Sequence, residues 1–143
     1  MSDFDTGAFA NEDRGELSLI LDGATMVLRP TFEALTEIEQ TLDRGLVDLA
    51  RDALAAKLKL AETAQIVTAC VRASGKETGD KGAAGANAAR IARLIVDSDG
   101  GLHNALKTVG GLLSLAVTGG YTSAGELKPS MMTTTPAKAP VDG

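Results

Sequence analysis

Residues 16–30 have the sequence ELSLILDGATMVLRP, which predicts a β-hairpin near the start of the chain. Leucines at positions 17, 19 and 21 alternate with other residues, so an extended strand here would have one apolar face. Asp22 and Gly23 separate this run from a second apolar run, and both positions of such a two-residue turn need a positive φ. Pro30 cannot donate to a strand ladder and is expected to close the second strand.

A helix is predicted directly after this hairpin. Thr31 is a suitable N-cap, and Glu33 lies in the first turn, where negative charge is favoured. Gly45 suits a left-handed C-cap at the end of this helix. Apolar residues recur at helical spacing between these two positions: Phe32, Leu35, Ile38 and Leu42.

Four more helices are predicted beyond residue 45. A second helix from Leu46 to about Ala56 would turn five residues inward: Leu46, Leu49, Ala50, Ala53 and Leu54. The others span about 61–73, 86–96 and 102–118. Ser74-Gly75 is expected to end the third helix, and a glycine-rich loop is predicted over 75–85. Gly110 and Gly111 lie inside the last helix. They indicate either a weak helix or the close approach of another backbone.

The predicted fold class is α+β, mostly α, with the N-terminal hairpin followed by about five short helices. We expect a flexible N-terminus over residues 1–14, a single hairpin-plus-helices domain over 15–120, and a disordered tail over 121–143. The tail prediction depends on three prolines, a threonine run and few apolar residues.

Composition restricts the partners and the compartment of the protein. The net charge is -5 and the 14 Lys and Arg residues are scattered, which argues against nucleic-acid binding. The sequence has no apolar run of about 20 residues and no secretory signal, so it predicts no membrane association and a soluble, cytoplasmic protein. Cys70, the single cysteine, is expected to be a small core residue.

Motifs for catalysis and for metal or cofactor binding fail on inspection. The single histidine, His103, has no convergent acid or nucleophile in the sequence. Gly75-Lys76-Glu77 lacks the first glycine and the Ser or Thr of a phosphate-binding loop, and the glycine of Asp97-Ser98-Asp99-Gly100 comes too early for a calcium loop. We therefore predict a non-enzymatic protein with no cofactor, metal or catalytic residue.

Three segments carry a resemblance to a known family: RGELSLILDG at 14–23, LRPTFEALTEIE at 28–39 and RGLVDLA at 44–50. The chain resembles small gene-transfer-agent proteins from the tail gene clusters of phage-like particles. The likeness is best over residues 14–73 and returns weakly near 112–120. This family is labelled either as a phage tail tube protein or as a tail assembly chaperone, and it implies no catalytic residues.

The resemblance implies a protein partner, which is the tape-measure protein or another tail protein, and a possible homo-oligomer. A tail assembly chaperone would cover the long helical tape-measure protein in the cytoplasm, and a structural component would stay in the virion tail. Tail tubes as a class are rings of β-rich subunits, for which one hairpin supplies few strands. The chaperone is therefore the favoured hypothesis, with the tube or tail-end component as the alternative and a small-molecule binder or enzyme as the third. The exposed part of one stripe is the candidate contact, and the alternative is that the stripe only forms core: Leu106, Val109, Leu112, Leu113, Leu115 and Val117.

Overall fold

A hairpin and six helices follow one another along residues 17–129, the part of the chain that the computed structural model describes. The elements are β1 (Leu17–Leu21), β2 (Ala24–Leu28), α1 (Phe32–Leu42), α2 (Leu46–Leu54), α3 (Leu60–Thr78), α4 (Lys81–Ala84), α5 (Ala88–Asp97) and α6 (Gly101–Val117). The predicted class, mostly α with an N-terminal hairpin, is confirmed. The segment predicted to be flexible, 1–14, lies outside the described residues, as does the part of the predicted tail beyond 129.

The hairpin forms as its sequence predicts. β1 and β2 pair antiparallel, with Leu19 opposite Met26 and Leu21 opposite Ala24. Asp22 and Gly23 make the turn with φ values of 51° and 82°, the left-handed region that this turn type requires. The inward leucines of β1 at positions 19 and 21 are buried, so the alternating pattern sets which face meets the helices.

The junction between α1 and α2 differs from the prediction. Thr31 caps α1 as expected, because its side chain accepts a 3.1 Å hydrogen bond from the Ala34 N–H. The left-handed residue at the end of α1 is Asp43, with φ 54°, so the prediction of a C-cap at Gly45 was wrong. Asp tolerates this conformation better than most residues. Gly45 is instead the extended N-cap of α2.

Two large apolar residues at helical spacing are exposed. Leu54 is 68% exposed, so the prediction that it faces inward was wrong, and Phe32 is 62% exposed. In α1 the buried positions are Ala34 and Ile38, and this face packs against α3. Phe32 is the first residue of α1, and its N–H bonds outside the helix, to the Ser123 carbonyl oxygen at 2.8 Å. The face that α1 turns towards α3 therefore carries Ala34 and Ile38, and Phe32 lies outside it.

Helix α3 continues through Ser74-Gly75 and ends at Thr78, so the predicted stop and the predicted 75–85 loop were wrong. Gly75 supports this path because it lies directly under α4. A Cβ at position 75 would be 2.2 Å from the Ala84 nitrogen. The glycine therefore permits a helix–helix contact and does not break the helix. The left-handed cap is Gly79, with φ 78°.

One cluster of buried aliphatic side chains connects the hairpin with five of the helices, and α3 runs through it. Cys70 belongs to this cluster, as predicted, and burial raises the pKa of its thiol to about 12. No helix in residues 17–129 is long and apolar enough to cross a membrane.

The packed structure extends past residue 120. Tyr121 is buried and forms an isolated antiparallel bridge with Leu127. The Ser123 carbonyl oxygen accepts from the Phe32 N–H, which fastens this segment to the start of α1. The expected boundary at residue 120 therefore falls inside a segment that packs on the hairpin and α1.

Candidate protein-binding surface

The apolar stripe of α6 that the sequence singled out lies largely inside the molecule. Four of its members are buried and belong to the central cluster: Leu106, Val109, Leu112 and Leu113. Leu115 and Val117 are half-buried, and Val117 also packs against the cluster. The exposed part of the stripe therefore narrows to Leu115, and most of the stripe holds α6 in the fold.

Gly110 explains how α6 comes so close to α2, its main neighbour. A Cβ at position 110 would lie 3.1 Å from Leu54 Cδ2, 3.6 Å from the Leu54 nitrogen and 3.7 Å from the Ala53 carbonyl carbon. Of the two sequence interpretations, the close approach of another backbone is therefore confirmed for Gly110. Gly111 differs, because a Cβ there would meet nothing within 4 Å.

Exposed or half-buried apolar residues lie on both of these helices. On α2, Val47 is 55% exposed and Leu54 is 68% exposed, and their spacing of seven places them on one side of the helix. On α6, the exposed Gly111 and the half-buried Leu115 are four residues apart and share a face. We call Val47, Leu54, Gly111 and Leu115 the α2–α6 surface.

The sequence did not identify the α2 half of this surface. Helical spacing predicts Leu54 in the core, and it gives no signal for Val47. The spacing between the two residues was visible, but the direction of that side of α2 depends on how the helix rotates against α6. Asp48 and Arg51, which also lie on α2, form an exposed ion pair with an N–O distance of 3.2 Å.

A partly buried network of ion pairs connects α2 with the start of α3. The Arg44 guanidinium, just before α2, donates to Asp52 Oδ2 on α2 and at 3.0 Å to Glu62 Oε2 on α3. The pKa of Glu62 is held below its ordinary value, first by the 2.9 Å hydrogen bond from the Lys59 backbone N–H and then by Arg44. The hydrogen bonds from Arg44 to Asp52 and to Glu62 raise the pKa of Arg44. Because one guanidinium joins two helices, the direction of the α2–α6 surface depends on it.

A groove between α1 and α3 is lined by both apolar and charged side chains. This groove of about 230 Å³ has alanine walls and five charged residues at its margins: Glu33, Glu37, Arg72, Lys76 and Glu77. Glu37 and Arg72 form an ion pair at 3.3 Å, and Arg72 also donates to the Ala86 carbonyl oxygen at 2.6 Å. These contacts bind the helices together. Within residues 17–129, no three His, Cys, Asp or Glu side chains are grouped as metal ligands.

The fold is that of a small, helix-rich protein. Large apolar side chains are exposed on its surface, and proteins use side chains of this kind to bind other proteins. A family model described as "Phage tail tube protein, GTA-gp10" matches residues 14–119. The chain belongs to this family and is a phage-tail protein related to those of gene transfer agents. This finding confirms the family resemblance noted from three short segments.

The family is a structural kind of protein and not an enzymatic one. Its description fits a chain that contacts other proteins or further copies of itself. No curated protein and no solved structure matches the chain.

Proposed function

We propose that this protein acts in tail assembly as a chaperone that binds a helical segment of the tape-measure protein through the α2–α6 surface. The observation that most supports this proposal is the pair of large exposed side chains on α2, Val47 and Leu54, of which Leu54 lies against the α6 backbone at Gly110. An amphipathic helix can pack its own apolar residues against exposed side chains of this kind. The folded core does not need these exposed side chains.

The rim of the α2–α6 surface is suited to reversible binding. Asp48 and Arg51 pair with each other at the solvent-exposed side of α2, so they add polarity without presenting an unpaired charge to the contact. An apolar centre with a polar rim is the usual organisation of protein interfaces. A chaperone has to release its client when the tube forms, and exposed charges that are already paired with each other add little to its affinity.

A structural role in the tail tube or at the tail end is the second candidate. The description of the family as a tail tube protein favours it. Against it, residues 17–129 contain two named strands in one two-stranded sheet, and rings of β-rich subunits need more strands from each copy. In this role the protein would remain in the virion tail, whereas the chaperone would act in the cytoplasm and leave.

Co-expression with the neighbouring tape-measure protein tests the chaperone role. We expect the wild-type protein to increase the soluble fraction of the tape-measure protein, and Leu54→Ser to lose most of this effect. Val96→Ser is the matched control, because Val96 is also an exposed aliphatic residue, 61% exposed, but lies on α5. The free energy of unfolding of both variants should lie within about 0.5 kcal/mol of the wild-type value, because the replaced side chains are largely exposed.

Two outcomes would count against the chaperone proposal. The first is a tape-measure protein whose solubility is unchanged by the wild-type chain. The second comes from mass spectrometry of purified particles, in which a chaperone should be absent. Many copies of this protein in each particle would favour the structural alternative.

A further inference from the structure

The outer edges of the two hairpin strands differ in what their backbone groups contact. In a hairpin with a two-residue turn, the residues that flank the turn exchange hydrogen bonds, and bonded pairs then recur at every second residue. From the register, the bonded pairs are 21 with 24, 19 with 26 and 17 with 28. The backbone groups of Ser18 and Ile20 therefore point away from β2, and those of Thr25 and Val27 point away from β1.

Helix α3 occupies the β2 side. Arg29 continues the alternation of Thr25 and Val27, and its backbone N–H donates to the Cys70 carbonyl oxygen of α3 at 3.0 Å. β2 also makes its main helix contacts with α3. The outer edge of β2 is thus directed at a helix inside the fold.

The β1 side is open at Ser18 and Ile20, whereas the N–H of Asp22, the next residue in the same outward row, donates to Ser98 Oγ of the segment after α5. Ser18 and Ile20 are exposed, and Ile20 is 60% exposed. Neither residue has a backbone partner on its outer side among residues 17–129. β1 has the sequence LSLIL and carries no charge, proline or bulge, the devices with which proteins usually protect a strand edge. An unprotected edge of this kind is a template for another strand.

Carboxylates collect at the turn end of β1. The Asp22 N–H donates to Ser98 Oγ at 2.6 Å, which places the hairpin turn beside the end of α5. Asp97 and Asp99 flank Ser98, and all three aspartates are exposed. None of them forms an ion pair in the described part of the chain. A strand that pairs with β1 would therefore meet negative charge just past Leu21.

We propose that the free edge of β1 binds an extended segment of a partner protein, which adds as an antiparallel strand and carries a basic residue ahead of its apolar part. An antiparallel strand has its N-terminal end beside the turn, so its cation meets Asp22, Asp97 and Asp99. A second copy of this chain fits less well, because residues 12–16 ahead of its β1, with the sequence EDRGE, carry three carboxylates against one cation. This edge is separate from the α2–α6 surface, and the inference does not depend on the proposed function.

A designed peptide tests the edge in the full-length protein. The probe is a fluorescein-labelled peptide with two lysines followed by alternating valine and threonine over five residues, and the control replaces both lysines by glutamates. We expect the lysine peptide to bind at least tenfold more tightly, measured by fluorescence anisotropy at low salt. Asp22→Asn should reduce this preference, since Asn also accepts the left-handed conformation of the turn.

Two substitutions at one position separate the backbone contact from the side chain. Ile20→Pro removes the outward N–H, which the hairpin does not use, and should weaken binding at least tenfold. Ile20→Thr keeps this N–H and a β-branched side chain, and should keep binding within about threefold. Circular dichroism checks that both variants stay folded. If Ile20→Pro does not fold, hydrogen exchange on wild type decides the question. The amides of Ser18 and Ile20 should become protected when the peptide binds, and those of Leu19 and Leu21 should not change.

Three results would overturn this inference. One is the absence of peptide binding to wild type. Another is equal binding of the lysine and glutamate peptides. The third is a concentration-dependent dimer of the wild-type protein that Ile20→Pro dissociates, because this would identify a second copy as the occupant of the edge. None of these results depends on Leu54, so each can be distinguished from a failure of the chaperone proposal.

Discussion

The Nε atom of Arg29 donates a 2.9 Å hydrogen bond to the carbonyl oxygen of Ala124, ninety-five residues further along the chain. The Arg29 side chain is 3% exposed, and its Nη2 atom lies 3.5 Å from Glu126 Oε2, which belongs to a side chain that is 42% exposed. A residue at the end of the hairpin thus fastens the segment that follows α6. Gly125 permits this contact, because a Cβ there would lie 3.0 Å from Arg29 Cγ.

Replacing Arg29 should loosen the segment around residues 121–129. Arg29→Met removes a buried charged donor and leaves the Ala124 carbonyl without it, so we expect a loss of about 2 kcal/mol in the free energy of unfolding. Glu126→Gln should cost less than about 1 kcal/mol, because that side chain is partly solvated. Urea denaturation of both variants measures the difference. Equal losses would show that the ion pair, and not the buried hydrogen bond, provides the stabilisation.

The two adjacent glycines of α6 should respond differently to alanine. Gly111→Ala meets open space and should raise the free energy of unfolding by about 1 kcal/mol through helix propensity. Gly110→Ala places a methyl group against Leu54, so its gain should be smaller or absent. Urea midpoints of the two variants provide the measurement.

The Leu54→Ala background is the control for this pair. Removal of the Leu54 side-chain end should let Gly110→Ala recover part of the missing gain, as a non-additive term in a double-mutant cycle. Identical gains for both glycines in wild type would contradict the close contact between α2 and α6.

Gly75 should be far less tolerant than Gly82. In Gly75→Ala the new Cβ would overlap the backbone of α4, and we expect a loss of at least about 2 kcal/mol or displacement of α4. Gly82→Ala lies in α4 itself, where the nearest atom, Asp80 Oδ1, is 3.4 Å away, and it should be neutral or slightly stabilising. Thermal unfolding followed by circular dichroism compares the two. A mild effect at Gly75 would mean that α4 does not pack there.

The ionised form of Glu62 should contribute stability near neutral pH. Its pKa in the folded protein is lowered, chiefly by the Lys59 N–H, so the contribution is present above the ordinary glutamate pKa of 4.5 and is lost as the pH falls through the lower folded value. The stability difference between wild type and Glu62→Gln should therefore narrow on acidification. Urea midpoints from pH 7 to pH 3 test this. Glu77→Gln, at an exposed position, is the control and should remain close to wild type at each pH.

The Tyr121 hydroxyl should be a weak point at alkaline pH. It is buried without a hydrogen-bond partner in the described residues, and burial, with a smaller contribution from Cys70, raises its pKa from 10.0 to about 12. A raised folded pKa means that the stability contribution is complete below pH 10 and is lost as the pH rises towards 12. Tyr121→Phe should raise stability at pH 7 by about 1 kcal/mol and flatten the alkaline decline. Thermal midpoints at pH 7, 10 and 11 decide it. A Phe variant with an unchanged alkaline decline would assign that decline to another group.

Local chemistry explains why much of the fold could be predicted. The hairpin register follows from the alternation of leucines and from a turn in which Asp22 and Gly23 both adopt positive φ. The Thr31 cap follows from a side-chain oxygen three residues before the N–H that it accepts. Long periodic segments, such as α6, were placed within one or two residues.

Contacts between elements explain what could not be predicted. Gly75 has the sequence signature of a helix end, yet it lies inside α3 because α4 needs its missing side chain. The α6 stripe is compatible with a partner contact or with core, and the packing of α2, α3 and α5 on α6 decides that most of it is core. Leu54 has the periodicity of a core residue, but it is exposed. Gly110 brings the α6 backbone so close to α2 that Ala53, the residue before Leu54, is the one buried at the contact.

The sequence by itself determined the class of fold, the hairpin and its register, the cap of α1 and the family. These properties depend on interactions within a few residues or on the recurrence of a pattern. Only the tertiary structure decided which faces are covered, where the packed chain ends and which strand edge is free. Those properties depend on residues such as Arg29 and Ala124, or Gly110 and Leu54, that are distant in sequence and meet only when the helices have packed.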